Sequence, residues 1–186
     1  LSDKNNNLWI GTQDKGINIY FPSSIKFPLY NTNNGLISDY IYAIIQTKDK
    51  TIWVGAEDGL FNLNANAKKF DNVSSIISKY HVKTILSLLE DKEGKIWMGS
   101  YGQGIIIYDP KTKKSEKILS DNSKVGTITK IIQDKNGTIW AGTIEMGIYA
   151  INPNTLTYKR YNSSNGLSSD GVYCIFCRLM CLGKSV

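Results

Sequence analysis

Residues 95–110 read KIWMGSYGQGIIIYDP, and this stretch decides the fold. Trp97 stands two residues before Gly99, the small Ser100 follows, and Gly104 opens an apolar run closed by Tyr108, Asp109 and Pro110. The same arrangement occurs four times. Trp9, Trp53, Trp97 and Trp140 are separated by steps of 44, 44 and 43 residues. Each is preceded by Leu or Ile and followed two residues on by Gly11, Gly55, Gly99 or Gly142. A small residue comes next (Thr12, Ala56, Ser100, Thr143), and then a second glycine (Gly16, Gly59, Gly104, Gly147), one residue early in the second copy. All four tryptophans of the chain belong to this internal repeat, so the repeat is the unit to be explained.

Working outward from the tryptophan, each period divides into four short segments. Ahead of it lies a nearly continuous apolar run: IYAIIQT (41–47), TILSLLED (84–91), ITKIIQD (128–134) and VYCIF (172–176). Runs of this length, rich in β-branched residues and without alternation, suit a strand buried on both faces. A turn follows, DKEG (91–94) or DKNG (134–137), with Asp to open it and Gly to supply a positive φ. The second copy has Thr47 and Lys50 at those two places, which predicts a less regular hairpin there. After the Trp strand comes a third strand (GINIY, GLFNL, GIIIY, GIYAI). The last and more polar strand carries Phe27 and Tyr30, Phe70 and Val73, or Tyr158 and Tyr161.

Four antiparallel strands recurring every 40–45 residues or so describe the blade of a β-propeller. The chain is therefore expected to be an all-β propeller fragment. Its expected units are a partial blade at 1–39, blades at 40–83, 84–127 and 128–171, and the start of another at 172–186. The first strand of each blade is expected to be innermost and buried, the last outermost and polar. Blades pack face to face about 10 Å apart. Trp is expected to fill the space between them. The glycine and small residue after it allow close backbone approach or a bend into the turn. Sugar stacking by Trp fits one exposed ring better than four at a common register. Helical arrays repeat at shorter periods with Ala, Leu and Glu, unlike these segments rich in Ile, Tyr, Thr and Gly.

The totals agree with a single domain built of these repeats. The 186 residues are 41% hydrophobic and 20% charged, with a net charge of +6. The lysines fall mostly in turns among acidic residues, so the charge reads as solvated turns rather than a nucleic-acid surface. No run of about 18 apolar residues exists to cross a membrane. The chain opens in mid-repeat without Met and is expected to be a piece of a longer protein, so a missing leader says nothing about its parent. Cys174, Cys177 and Cys181 are its cysteines, after 173 residues with none. That distribution suits an oxidising compartment. Their cluster lacks a fourth Cys or a nearby His, so no metal site and no cofactor are expected.

The repeat resembles the two-component regulator propeller repeat. The resemblance rests on ILSLLEDKEGKIWMGSYGQGIIIYDP (85–110), IIQDKNGTIWAGTIEMGIYAINP (131–153) and the links NNGLISDYIYAII (33–45) and SNGLSSDGVYCIF (164–176). It covers residues 1–176. Such repeats typically build the periplasmic sensor region of bacterial hybrid two-component sensor histidine kinases and response regulators. Their usual signals are breakdown products of complex carbohydrates. The resemblance implies a non-catalytic, periplasmic sensor piece whose partners are an oligosaccharide ligand and the remaining blades and kinase of a parent chain. After 176 the pattern breaks: Arg178, Cys181 and Lys184 stand where Asp, Gly and Trp are due. CRLMCLGKSV reads as a truncated, frame-shifted or vector-derived end. A fragment with fewer blades than a closed ring leaves open faces, so self-association is expected.

Residues that differ between copies are free to specialise, and propeller ligands usually meet the face made by second-to-third-strand turns and blade links. Those turns carry the candidate ligand residues Asp14, Glu57, Asp58, Tyr101, Gln103 and Glu145. Carboxylates, an amide and an aromatic can hydrogen-bond hydroxyls and stack on a sugar face. Asp39 and Asp170 recur after Ser in the links and are expected to cap turns. No catalytic residue is assigned. Two other functions remain open: a ligand-independent interaction or dimerisation scaffold, and a streptogramin-lyase-like enzyme for which His81, the chain's one histidine, is the candidate.

Overall fold

The computed structural model describes residues 1–22, 28–64, 69–119 and 126–175. Phe27 and the aberrant end at 176–186, with Cys177 and Cys181, lie outside the described residues. The chain forms four antiparallel sheets. The first has three strands: β1 (Leu8–Gly11), β2 (Ile17–Tyr20) and β3 (Leu29–Tyr30). The second runs β4 (Ile41–Gln46), β5 (Ile52–Ala56), β6 (Gly59–Asn64), β7 (Lys69–Asn72). The third runs β8 (Ile85–Glu90), β9 (Ile96–Ser100), β10 (Ile105–Asp109), β11 (Lys114–Ile118). The fourth runs β12 (Ile128–Gln133), β13 (Ile139–Thr143), β14 (Ile148–Ile151), β15 (Tyr158–Tyr161). Each is a plain meander, and the first strands β4, β8 and β12 touch from sheet to sheet, as propeller blades do around an axis.

The sheets meet through one recurring contact. Trp97, Ile105 and Ile107 of the third sheet share a core with Ile139, Ala141 and Ile151 of the fourth. Trp53 and Leu60 meet Ile96, Met98 and Ile106 in the same way, and Trp9, Ile17 and Ile19 meet Ile52, Val54 and Phe61. Trp97 is fully buried. The glycine after each Trp admits the next sheet. A Cβ on Gly55 or Gly99 lies 2.7 Å from the Cγ2 of Ile85 or Ile128, and one on Gly11 lies 2.9 Å from that of Ile41. Of the two roles open to that glycine, close approach is the one these distances support.

Two expectations need correction. The most buried strand is the second, not the innermost: β5 and β9 are buried throughout, whereas β4 is only partly so. β5 and β9 have a sheet on both of their faces, while β4 and β8 are edges of their sheets. The hairpin of the second copy is also as regular as the others. Thr47 and Lys50 make the same turn bonds as Asp91 and Gly94, because Lys50 itself adopts the left-handed conformation at φ 72°.

The turn aspartate does more than open its turn. In the third copy Asp91 Oδ1 accepts from the backbone N–H groups of Glu93 and Lys95 at 2.9 Å, while Oδ2 accepts from the Trp97 indole at 2.8 Å. Asp3 and Asp134 hold Trp9 and Trp140 identically, each at 2.9 Å. These three tryptophans are thus fixed from within their own hairpins. The Trp140 indole, followed by backbone donors, holds the Asp134 carboxyl below the usual range. Burial pushes the Asp3 carboxyl the other way, but the Trp9 and Asn7 donors outweigh it and leave it lowered. Thr47 leaves Trp53 without this carboxylate.

The turn lysines, read from sequence as solvated, are exposed but also engaged. Lys4 Nζ donates to the Lys48 carbonyl at 2.9 Å, Lys48 Nζ to the Lys92 carbonyl at 2.7 Å, and Lys92 Nζ to the Lys135 carbonyl at 2.7 Å. Their backbone N–H groups reach Gln46, Glu90 and Gln133 of the following sheet at 2.8–2.9 Å. A ladder of clasps therefore crosses all three junctions at the hairpin end of the sheets.

Candidate ligand site on the turn face

At the opposite end of the sheets lie the turns between second and third strands. Their shape follows from two features of the repeat. The hydroxyls of Thr12, Ser100 and Thr143 each donate to the carbonyl of Gly16, Gly104 and Gly147 at 2.8 Å. Those three glycines take φ of 75–78°. Where Ala56 replaces the hydroxyl residue, the turn is one residue shorter and Ala56 pairs directly with Gly59. The links lock onto the turns: Gly16 N–H donates to the Asp39 carbonyl at 2.9 Å and Gly147 N–H to the Asp170 carbonyl at 2.8 Å. The Asp39 and Asp170 carboxylates accept from Thr32 N–H at 2.8 Å and Ser163 N–H at 2.6 Å, closing the link loops.

These turns present Asp14, Glu57, Asp58, Tyr101 and Glu145 to solvent, and Tyr101 is 65% exposed. Gln103 is half-buried, and its Oε1 accepts from Lys117 Nζ at 2.9 Å. Asp14 makes an exposed contact with Lys15 at 3.6 Å, an ion pair of little energetic weight. The six residues do not form one cluster. Thr84 draws two turns together: its hydroxyl donates to the Glu57 carbonyl at 2.8 Å, and its own carbonyl accepts from Tyr101 N–H at 3.1 Å. Asp14 and Glu145 sit on the first and fourth sheets, apart from that junction.

The structure adds two residues here, Tyr40 and Tyr42, which are 42% and 47% exposed. Glu57 N–H donates to the Tyr40 carbonyl at 3.1 Å. Partial burial, then the Glu57 carboxylate and Tyr40, push the Tyr42 hydroxyl above its ordinary value. Tyr42 sits in an apolar run and so reads as core. It points outward because the register of β4 on β5 slips between Ile41 and Ala43, a bulge that β8 and β12 repeat at the same place. A bulge leaves one residue unpaired and re-aims its side chain. The signal in the sequence was Tyr42 recurring as Tyr173, itself 73% exposed.

Two grooves lie elsewhere. One of about 570 Å³, lined by Asn136, Asn152, Asn154 and Tyr158, opens between hairpins of the third and fourth sheets. Another of about 590 Å³ lies along Ser75, Lys79 and Ser115. Neither is lined by the six sequence-predicted residues. His81 is exposed in the second link with φ 55°, and its imidazole bonds to no described residue. Among the described residues there is no cluster of His, Cys, Asp and Glu able to hold a metal, and no helix long and apolar enough to cross a membrane.

Comparison with known proteins places this geometry. The model of a family described as "Domain of unknown function (DUF5074)" matches residues 40–178. Histidine kinase P4 of Formosa agariphila is 28% identical over 126 residues, which are 64% of this chain and 9% of that protein. The extracellular domain of a B. thetaiotaomicron protein described as a hybrid two component system, BT4673, is 29% identical with a TM-score of 0.79. The match covers 91% of this chain and 23% of that one. Virginiamycin B lyase of Staphylococcus aureus shares the fold at 13% identity and a TM-score of 0.66, over 87% of this chain and 53% of that one. The chain thus spans under a quarter of the two-component relatives it matches. It is homologous to the extracellular domains of hybrid two-component systems and shares the propeller fold.

Proposed function

Because this chain belongs to the DUF5074 family and is homologous to the extracellular domain of a hybrid two-component system, we propose that it is a non-catalytic part of a periplasmic sensor. The observation that carries this reading is 29% identity sustained over 91% of the chain at a TM-score of 0.79. In this reading the units 1–39, 40–83, 84–127 and 128–171 are blades of a larger propeller region. That region binds a carbohydrate breakdown product and passes the signal to a histidine kinase in the same parent protein.

The ligand meets the turn face, and Tyr101 with Glu57, Tyr40 and Tyr42 is its first contact. Tyrosines supply flat apolar surface for a sugar ring, and the carboxylate accepts hydrogen bonds from its hydroxyls. Asp14, Asp58, Gln103 and Glu145 extend the surface to the neighbouring sheets. In this reading the role is binding rather than turnover.

Thermal-shift and titration calorimetry against a panel of neutral and acidic oligosaccharides test this. A binding glycan is expected to raise the melting temperature, and Tyr101→Ala with Glu57→Gln to abolish the rise while the free protein melts as before. If no glycan binds, or if binding survives both substitutions, the turn-face assignment is wrong. Turnover of a ligand that is lost in His81→Ala would replace the sensor reading by an enzymatic one.

A further inference from the structure

We infer that the groove along Ser75, Lys79 and Ser115 is a second binding site, separate from the turn face, for a small oxyanion: a phosphate or sulfate group, free or carried as an ester. The groove lies where the link of residues 73–83 packs on β10 and β11 of the third sheet. The second and third sheets, which that link joins, are each flanked by a further sheet.

Two departures from the repeat shape it. The links at 34–39 and 165–170 read NGLISD and NGLSSD, each beside one short helical turn, Thr32–Asn34 or Ser163–Asn165. The second link reads VSSIISKYHVK (73–83) and forms two, Ser74–Ile76 and Ser78–Tyr80. The other departure is on the outer strand. Ser115 pairs with Tyr108 at the place where Phe70 pairs with Leu63 and Tyr158 with Ile151. Phe70 is 2% exposed, and its ring stands 5.3 Å from that of Tyr30 and 6.5 Å from that of Trp9. A serine leaves the place of that ring unfilled beside Tyr108. The groove it helps to open, about 590 Å³, has the size of a small-molecule site.

The charge around this space has one sign. Lys79, Lys113 and Lys114 line it, and among the described residues no carboxylate does. None of the ion pairs between described residues involves these three lysines. Lys79 is held in place: its Nζ donates to the Ser115 carbonyl at 2.9 Å and stands 4.8 Å from the centre of the Tyr80 ring. The Tyr80 hydroxyl donates to the same carbonyl at 2.5 Å, and Ser115 Oγ to the Ile76 carbonyl at 3.1 Å, so the link is fastened to the strand. An ammonium group has three donors, and Lys79 keeps two of them for a ligand. Lys114 also borders a hollow of about 310 Å³ that holds Asp109 and Glu116, so Lys79 and Lys113 present the less compensated charge. Converging ammonium groups attract an anion and repel a cation. With lysines and no arginine, the groove offers point charges rather than the planar fork that matches a carboxylate, which suits a tetrahedral anion. The inference rests on this groove alone and is independent of the sensing role.

Titration calorimetry of the full chain at low salt with inorganic phosphate, inorganic sulfate, glycerol 3-phosphate and glycerol tests it. The three anions are expected to bind and glycerol not to, and binding is expected to weaken as salt is added. Glycerol 3-phosphate binding tighter than inorganic phosphate identifies an ester as the ligand, and equal affinities identify the free anion. Lys79→Gln and Lys113→Gln are each expected to weaken binding about fivefold, as the loss of one exposed ion pair implies. Lys83→Gln removes the same charge outside the groove and is expected to leave binding unchanged. Ser115→Tyr restores the ring of the fourth sheet and is expected to abolish binding. Melting temperatures check folding, and the exposed Lys113→Gln decides the matter if Ser115→Tyr does not fold. Absence of anion binding up to about 10 mM overturns the inference. So does a Lys113→Gln variant that binds like the parent, or a Lys83→Gln variant that loses as much. Glycan binding at the turn face turns on Tyr101 and Glu57 and is untouched by either result.

Discussion

Gly99→Ala is the sharpest probe of how the sheets meet. The added Cβ would lie 2.7 Å from Ile128 Cγ2, 3.0 Å from Ile128 Cβ and 3.3 Å from Ile131 Cδ1. The two nearest atoms belong to the branched Cβ of Ile128, and Ile128 and Ile131 are 1% and 2% exposed, held within the junction of the third and fourth sheets. The fourth sheet must back away, and overpacking of this kind costs about 1–3 kcal/mol. Ile128→Ala alone costs about 2–5 kcal/mol through lost burial and the hole left behind. It also removes the Cγ2 that the new methyl strikes. The double variant should therefore be more stable than the sum of the singles by at least about 1 kcal/mol, as expected for residues in direct contact. Urea unfolding followed by tryptophan fluorescence gives all three values from shifts of the midpoint at constant slope. Strictly additive costs, or a Gly99→Ala variant as stable as the parent, would refute the close-approach role of this glycine.

Other consequences follow from the same hairpins. Asp91→Ala removes the acceptor of three hydrogen bonds and strands the buried Trp97 indole, a cost of about 3 kcal/mol. Asp91→Thr should cost less by the same measurement, since the second copy already works with Thr47. The Asp134 carboxyl is lowered in the folded protein, so its contribution is complete above its unfolded value of about 3.9 and is lost as pH falls through the folded value. Asp134→Asn should accordingly lower stability near neutral pH and flatten the loss in acid, read from melting temperatures across that range. Lys50→Gly should stabilise by about 1 kcal/mol in urea, because it relieves a side chain at φ 72°.

How much of this was legible in the sequence depends on what kind of signal each feature leaves. The tryptophans and the glycine two residues after each recur at fixed offsets, and the second glycine shifts by one residue in one copy, so the four sheets and their order could be read directly. The bond from Asp91 to the Trp97 indole also recurs, at a spacing of six residues, but Asp explains itself locally as a turn residue and its second oxygen has no separate signal. Lys48 reaching the next sheet joins residues 44 apart, a spacing equal to the repeat itself. Such a contact is indistinguishable in the sequence from mere repetition of a turn lysine. Lys50 violates the glycine rule for its turn, and the hairpin forms anyway because the flanking strands dictate its conformation.

At the candidate site the turn residues could be named but not grouped. Thr84, which ties the Glu57 turn to the Tyr101 turn, does so with its hydroxyl and its carbonyl, each bonded to a backbone group of another turn, and such partners leave no side-chain pattern. Tyr42 was hidden by the bulge: in an unbroken strand it would alternate with Ile41 and lie inside. Variable residues mark where a repeat can specialise, while the distances between those residues come from the sheet junctions.

The most direct test of the account is the amide and indole exchange of the four tryptophans by nuclear magnetic resonance on the labelled chain. The indole N–H of Trp97, bonded to Asp91 at 2.8 Å in a fully buried side chain, should exchange slowest. Those of Trp9 and Trp140, bonded to Asp3 and Asp134, should follow, and that of Trp53, above Thr47, should exchange fastest. Asp91→Asn should then move the Trp97 indole resonance and leave Trp9 in place. Four indoles exchanging alike, or Trp53 as the most protected of them, would contradict a repeat built on carboxylate-anchored tryptophans packed between sheets.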